Sequence, residues 1–121
     1  MTLSQLLPQL EGIPGALFSE DTLQCKIATL LDGLGLEYQR EARLSARDRV
    51  DFLVRMGVIR VAIEVKVAGS RHGLLRQVAR YCAHDEVDAV VVVTNLTRHT
   101  GLPEQLGGKP VRVALLLGGA F

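Results

Sequence analysis

Three charged residues interrupt an apolar stretch of the chain and are the first candidates for chemistry. Asp51, Glu64 and Lys66 lie in RVDFLVRMGVIRVAIEVK, residues 49–66. Charges among apolar side chains are costly unless they are paired, solvated or bound to a metal. Two carboxylates fit a Mg²⁺ site, to which the carbonyl of Val65 could add an oxygen ligand. A lysine beside that metal can orient or deprotonate a water, or stabilise charge on a phosphate, so these residue types predict metal-assisted phosphodiester hydrolysis.

This stretch has the pattern of two strands joined by a tight turn, and the turn decides where the charges point. Side chains alternate between the faces of a strand, so Glu64 and Lys66 share one face. We expect a two-residue turn at 56–57, which sets Asp51 opposite Ala62. Asp51 then lies diagonally beside Glu64, about 5 to 8 Å away between backbone positions. A turn one residue longer would move Asp51 to the other face.

The sequence on either side predicts the elements that hold this hairpin. Leucines at helical spacing, followed by glycine and proline, predict an N-terminal helical extension over residues 1–18, ahead of a single domain over residues 19–121. A longer helix begins after Ser19 or Asp21, either of which can cap it. The later elements are a strand at 38–44, the hairpin, a helix at 71–83, a buried strand at 87–94, a polar connection at 97–110 with a helical turn around 104–106, and a strand at 111–117.

The order of these elements predicts an α/β fold. A helix, three strands, a helix and a strand follow one another, which gives an αβββαβ core. The helical crossover from the third strand to the fourth implies parallel pairing, whereas the hairpin is antiparallel. We therefore expect a mixed sheet flanked by helices, with the charged residues of the hairpin facing an open cleft.

Length and composition fit one domain with a proper core. The chain has 121 residues, of which 48% are hydrophobic, enough to bury a core without disulfides or a structural metal. Cys25 and Cys82 are too few and too far apart for a zinc site, and we expect both to be reduced and buried. The N-terminus lacks a signal-peptide pattern and no stretch is long enough to span a bilayer, so we expect a cytoplasmic protein without a membrane partner.

Charge is distributed unevenly along the chain. The formal net charge of +1 is composed of −4 over residues 1–39, +6 over residues 40–80 and −1 over residues 81–121. Nine of the ten basic residues in the middle block are arginine, which suits bidentate contacts with phosphate. A polyanionic partner and a solvated charged surface would both give this count.

The motif formed by Val50-Asp51 and Glu64-Val65-Lys66 resembles the signature of the PD-(D/E)XK nuclease superfamily. The position of the motif adds to the resemblance, since the acid opens the second strand, E-x-K closes the third, and a helix follows. Val50 stands where the family name has proline, which is a common departure. The resemblance implies a restriction-endonuclease-like fold and a Mg²⁺-dependent nuclease that acts on DNA in preference to RNA. It implies that the two acids and the lysine are catalytic, and that Mn²⁺ can replace Mg²⁺.

Further residues extend this resemblance, which covers residues 19–95. Gln77 and Tyr81 share a helix face and resemble the QxxxY motif of the branch that includes lambda-type exonucleases and the nuclease domains of recombination helicases. In that branch the pair helps hold the metal site and the nucleic-acid strand, although a surface Gln and a half-buried Tyr have the same spacing. Glu20 stands where many members place a metal-binding glutamate, and it would equally complement the dipole of its helix. The candidate phosphate contacts on or beside the second helix are Arg71, Arg76 and Arg80.

The alternative to catalysis is a nuclease-fold module that binds nucleic acid or a protein without cleavage. In that module Glu64 and Lys66 form only a salt bridge. A domain of this size covers few base pairs, so we expect a homodimer or a place in a larger complex. His72, His84 and His99 are widely spaced and lack a metal-ligand pattern, so we expect them at surface or loop positions.

Overall fold

The protein has three helices and a six-stranded mixed sheet in a computed structural model that describes residues 1–118. The helices are Leu3–Glu11 (α1), Glu20–Gly33 (α2) and Arg71–Cys82 (α3), and the strands are Glu37–Arg43 (β1), Arg49–Met56 (β2), Ile59–Lys66 (β3), Ala89–Thr94 (β4), Gln105–Leu106 (β5) and Lys109–Leu115 (β6). The expected α/β class and mixed sheet are confirmed, and α2 to β4 follow the order αβββαβ. Within the described residues, no helix is both long and apolar enough to cross a membrane.

Side-chain caps explain where the three helices begin. Each helix follows a residue whose hydroxyl accepts a hydrogen bond from a backbone N–H three residues later, namely Thr2, Ser19 and Ser70. Such a cap satisfies one of the N–H groups that lack a partner within the helix. Of the two caps predicted for α2, Ser19 is the one used. Helix α1 buries Leu6 and Leu10 completely in the core that it shares with α2 and the sheet.

The sheet has the strand order β1-β2-β3-β4-β6-β5. Strands β1, β2 and β3 pair antiparallel, whereas β3, β4 and β6 run parallel. Helices α1 and α2 cover one face through a cluster of aliphatic side chains, and α3 covers the other face. Strand β4 is buried along its whole length, as its β-branched sequence predicts. The ends of β1, β3 and β4 and the start of β2 therefore meet at one edge of the sheet.

The turn between β2 and β3 lies one residue later than predicted. Met56 pairs with Ile59, so Gly57 and Val58 form the turn instead of residues 56–57. Gly57 has φ of 66°, and a glycine with positive φ at the first central position is typical of the type II′ turns that suit hairpins. The dipeptide Met56-Gly57 did not indicate this turn, because Gly57 is the first central residue of the turn and not the second.

This displacement changes the register of the hairpin but preserves which face each side chain occupies. The β2–β3 pairing moves by two residues, which is one full period of a strand. Leu53, rather than Asp51, pairs with Ala62, and the ladder ends at the pair of Phe52 and Ile63. Asp51 lies one residue beyond the ladder, and hydrogen bonds between side chains and backbone join it to the Glu64 strand.

Three further expectations are wrong in detail. The connection after β4 contains a short 3₁₀ helix at Thr97–His99 and the two-residue strand β5, instead of a helical turn around 104–106. Cys25 is exposed on α2, although the other cysteine is buried as expected. His99 is fully buried rather than at the surface, where its Nε2 lies 3.2 Å from the carbonyl oxygen of Ala68.

Candidate active site

The β2–β3 hairpin opens at the end away from its turn, and two carboxylates replace the backbone ladder there. The ladder ends at the pair Phe52 and Ile63. One residue further, the N–H of Asp51 donates to Oε1 of Glu64 at 3.2 Å, and the N–H of Val65 donates to Oδ2 of Asp51 at 2.7 Å. Each carboxylate therefore accepts a hydrogen bond from a backbone N–H of the opposite strand, and these two hydrogen bonds bring the two acids together.

An irregularity in β1 and β2 frees the backbone of Asp51 for this contact. Val50 packs on the α3 side of the sheet and Phe52 on the α2 side, although residues two apart in a regular strand share a face. The pairing of β1 with β2 skips Asp51 and Glu41. Glu41 has φ of 53°, in the left-handed region that residues other than glycine seldom adopt. Backbone strain of this kind persists where the surroundings enforce it, and here it accompanies the carboxylate pair.

Helix α3 brings Gln77 and Tyr81 against Glu64. Nε2 of Gln77 donates to Oε2 of Glu64 at 3.1 Å and to the hydroxyl oxygen of Tyr81 at 2.7 Å. The Tyr81 hydroxyl also lies 3.2 Å from the same Glu64 oxygen and 3.1 Å from the carbonyl oxygen of Arg49. Both residues of the QxxxY pair therefore contact the glutamate of the E-x-K motif.

Lys66 joins this network through Gln77. Its Nζ donates to Oε1 of Gln77 at 3.0 Å. An amide accepts at its oxygen and donates at its nitrogen, so the contact with Lys66 directs Nε2 of Gln77 toward Glu64. The simple Glu64–Lys66 salt bridge of the non-catalytic alternative is not formed among residues 1–118.

Burial and nearby carboxylates oppose ionisation of the two acids. The pKa of Glu64 is raised to about 8, first because burial removes the carboxylate from water and second because Asp51 repels its charge. The pKa of Asp51 is also raised, mainly by burial, and the carboxylates of Glu20 and Glu41 add to this effect. The hydrogen bonds to both acids come from backbone N–H groups, an amide and a phenol. Within the described residues, neither acid therefore contacts a positively charged group.

A cavity of about 460 Å³ lies over the two acids, and its walls carry both signs of charge. Glu20 is exposed at the start of α2 and lines this cavity. The arginines that line it are Arg43, Arg47, Arg49 and Arg80. The volume is in the range of small ligand pockets, and arginines beside it suit an anionic ligand.

The other two candidate arginines of α3 lie elsewhere. Arg71 is exposed at the first turn of α3 and donates to the carbonyl oxygen of Gly101. Arg76 is exposed and does not line the cavity. Among the candidates, Arg80 is thus the one at the cavity, and the remaining arginines come from the end of β1, the β1–β2 connection and the start of β2. Their location is explained by the sheet, since this connection lies at the edge where the two acids meet.

Asp48 and His84 belong to a second buried polar cluster that the sequence did not indicate. Asp48 accepts from Nε of Arg80 at 3.1 Å through Oδ1, and its Oδ2 lies 2.9 Å from Nε2 of His84. Hydrogen bonds from His84 and Arg80 lower the pKa of Asp48 below its usual range, although burial acts in the opposite direction. The cluster joins the β1–β2 connection to the end of α3. Asp48 stands in a polar turn, where sequence alone gives no sign of burial.

Oxygen atoms dominate the donor set that this site offers to a cation. Asp51 and Glu64 lie together, the carbonyl of Val65 follows Glu64, and Glu20 lies at the rim of the cavity. Mg²⁺ takes one or two carboxylates together with water and phosphate oxygens, so this set fits it. In the described part of the chain, no cluster of three or more His, Cys, Asp or Glu side chains is arranged to hold a metal, so an all-side-chain cage is not offered.

No family model matches the chain, and no curated protein matches it. The chemistry of the site has to be inferred from its own residues. These are a buried and a half-buried carboxylate that form no salt bridge within residues 1–118, a lysine linked to them through Gln77, and a cavity lined by arginines.

Proposed function

We propose that this protein is a Mg²⁺-dependent nuclease that hydrolyses phosphodiester bonds, in DNA in preference to RNA. The observation that carries the proposal is the pair Asp51 and Glu64, two carboxylates held together by uncharged donors below an arginine-lined cavity. A buried acid beside a half-buried one is unfavourable without a cation when both are ionised. A divalent metal neutralises them, and a phosphate group is an anion that both the metal and the arginines bind.

Each residue near the acid pair has a distinct role in this proposal. The oxygen ligands available to the cation are those of Asp51, Glu64, Glu20 and the carbonyl of Val65. Bound Mg²⁺ supplies a Lewis acid that withdraws charge from the phosphate, and Mn²⁺ is expected to replace it. Lys66 reaches the acid pair through Gln77, and its ammonium group orients the attacking water or stabilises the charge that develops on the phosphate.

Gln77 and Tyr81 position Lys66 and Glu64 in this proposal. Gln77 bonds Lys66 at one end of its amide and Glu64 at the other, so one side chain sets the distance between the lysine and the glutamate. Tyr81 is buried beneath them and bonds the carbonyl of Arg49, which ties α3 to the start of β2. Contact with the nucleic-acid strand then falls mainly to Arg80 and the other cavity arginines.

We infer further that α2 to β4 form a restriction-endonuclease-like core. The order αβββαβ and the position of the acids at the open end of the β2–β3 hairpin support this inference. A domain of this size contacts a short stretch of nucleic acid, so we expect it to act as a homodimer or within a larger complex.

The test is cleavage of linear, circular, single-stranded and branched DNA, with Mg²⁺ and with EDTA. We expect cleavage with Mg²⁺ alone, and its loss in Glu64→Gln and Lys66→Met proteins that remain folded. Arg55→Gln is the matched surface control, because Arg55 is exposed near the hairpin turn, and it should cleave at the rate of the unmodified protein. Cleavage of circular DNA would identify an endonuclease.

Two results would contradict the proposal. Full activity of Glu64→Gln would show that the acid pair takes no part in hydrolysis. Tight, salt-sensitive binding of DNA without cleavage under any metal condition would favour the non-catalytic module instead.

A further inference from the structure

Two arginines connect the start of α3 with the segment after β4, and each segment contributes one of them. Nε of Arg98 donates to the carbonyl oxygen of Gly69 at 2.9 Å, and Arg71 donates to the carbonyl oxygen of Gly101. Both arginines are exposed. Among residues 1–118, neither forms a salt bridge. The backbone carbonyls therefore fix the two guanidinium groups in place without neutralising them, and each keeps N–H donors for an anion.

A buried histidine also connects the segment after β4 with the residues between β3 and α3. His99 is fully buried beside Arg98, and its Nε2 lies 3.2 Å from the carbonyl oxygen of Ala68. Its contact holds the segment after β4 against the turn that ends β3. These contacts restrict the position of Arg98 before a ligand binds, so its side chain loses less conformational entropy on binding.

The residue that holds Arg98 lies next to Lys66. A Cβ placed on Gly69 would be 3.8 Å from Cε of Lys66, so the carbonyl to which Arg98 donates belongs to a neighbour of the lysine. A second cavity of about 260 Å³ is lined by Lys66, Gly69 and Glu20. Glu20 also lines the larger cavity over the acids. The two cavities are therefore neighbours: arginines line the larger one, and Gly69 of the smaller one accepts from Arg98.

We propose that a nucleic-acid strand crosses the site from the arginines of the larger cavity, over Asp51 and Glu64, to Arg98 and Arg71. This inference rests on the proposed function and adds the direction of the strand along the sheet edge. The path runs from the end of β1 to the end of β4, which is three strand spacings or about 14 Å. At about 3.4 Å per nucleotide this corresponds to roughly four nucleotides.

The test measures binding of a single-stranded oligonucleotide of about 12 nucleotides, a length that spans the path, in EDTA over a range of salt concentrations. EDTA prevents cleavage, so the result does not depend on hydrolysis. For Arg98→Gln we expect the slope of log affinity against log salt to fall by about 0.7, the value for one lost phosphate contact. Arg55→Gln is again the control, because this exposed arginine lies near the opposite edge of the sheet, and it should keep the slope of the unmodified protein.

A second measurement varies oligonucleotide length. A mononucleotide cannot reach both groups of arginines, so Arg98→Gln should weaken its binding less than it weakens binding of the long oligonucleotide. An unchanged slope for Arg98→Gln on the long oligonucleotide, or no DNA binding by the unmodified protein, would overturn the path. Binding with the expected slopes but no cleavage in Mg²⁺ would support the path and count against hydrolysis alone.

Discussion

Asp48 and Glu64 are both 6% exposed and line the same cavity, yet their surroundings shift their pKa values in opposite directions. The pKa of Asp48 is lowered, because an imidazole and a guanidinium group donate to it. The pKa of Glu64 is raised to about 8, because burial and Asp51 oppose its charge and its donors are uncharged. Equal exposed fractions therefore do not fix the charge state, since hydrogen bonds from His84 and Arg80 outweigh burial at Asp48, whereas burial is the largest effect at Glu64.

This contrast separates a structural cluster from the proposed metal site. Asp48 already has a cationic partner in Arg80, and its contacts with Arg80 and His84 connect two segments of the cavity wall. Glu64 and Asp51 have well-oriented donors but no positive charge in contact within the described residues. A strongly perturbed acid in a cleft is a candidate for function, and the function that we propose for this pair is to bind a divalent cation.

The largest expected effect that would sharpen this comparison is on metal affinity. Tyr81→Phe removes the hydroxyl beside Oε2 of Glu64 while it keeps the ring that fills the core. Loss of a group that orients a metal ligand typically weakens metal binding about 10- to 100-fold, and we expect a loss in this range by Mn²⁺ titration. The control is Tyr38→Phe, which removes a hydroxyl bonded to Asp32. Equal affinities for the two variants would show that the Tyr81 hydroxyl does not support Glu64.

An intermediate effect is expected on stability when the other carboxylate is changed. Asp48→Asn weakens the contacts with Arg80 and His84, and removal of a buried hydrogen-bonded charge costs about 1 to 3 kcal/mol. Urea unfolding at pH 7 should show this loss in the free energy of unfolding, whereas affinity for Mg²⁺ should stay within about twofold, since Asp48 is not a proposed ligand. Loss of metal binding in Asp48→Asn would contradict the assignment of a structural role to Asp48 and a metal-binding role to Glu64.

A further test of the comparison is the pH dependence of stability without metal. Glu64 has a folded pKa near 8 against an ordinary value of 4.5, so the folded state holds more protons between these pH values. The free energy of unfolding should therefore fall as pH rises from 5 to 8, and Glu64→Gln should flatten this slope. Asp48 has the opposite sign, but its contribution is lost only as pH falls below its ordinary value of 3.8. Urea unfolding across pH 5 to 8 checks this, and a slope unchanged in Glu64→Gln would contradict it.

Patterns local in sequence were predictable, and contacts between distant residues were not. The αβββαβ order and the shared face of Glu64 and Lys66 follow from periodicity, because alternation along a strand needs no tertiary information. The exact partner of Asp51 did not follow, since a turn displaced by one residue moves the whole register. The burial of Asp48 and His99 was also missed, because each is stabilised by groups more than thirty residues away.

The same reasoning applies to the arginines. The charge count placed a basic block in residues 40–80 but could not rank its members. Arg80 lies at the cavity and Arg76 does not, because only the sheet determines which loops meet the acids. Arg98 lies outside the block, and its contact with Gly69 results from the parallel crossover to β4.

The most direct test of the central claim is calorimetric titration with Mg²⁺ or Mn²⁺ at pH 8. The carboxylate pair predicts saturable binding to the unmodified protein and to Asp48→Asn, and its loss in Glu64→Gln with the fold retained. Binding that is equally tight in Glu64→Gln, or no binding to the unmodified protein, would contradict the claim that Asp51 and Glu64 hold a divalent cation.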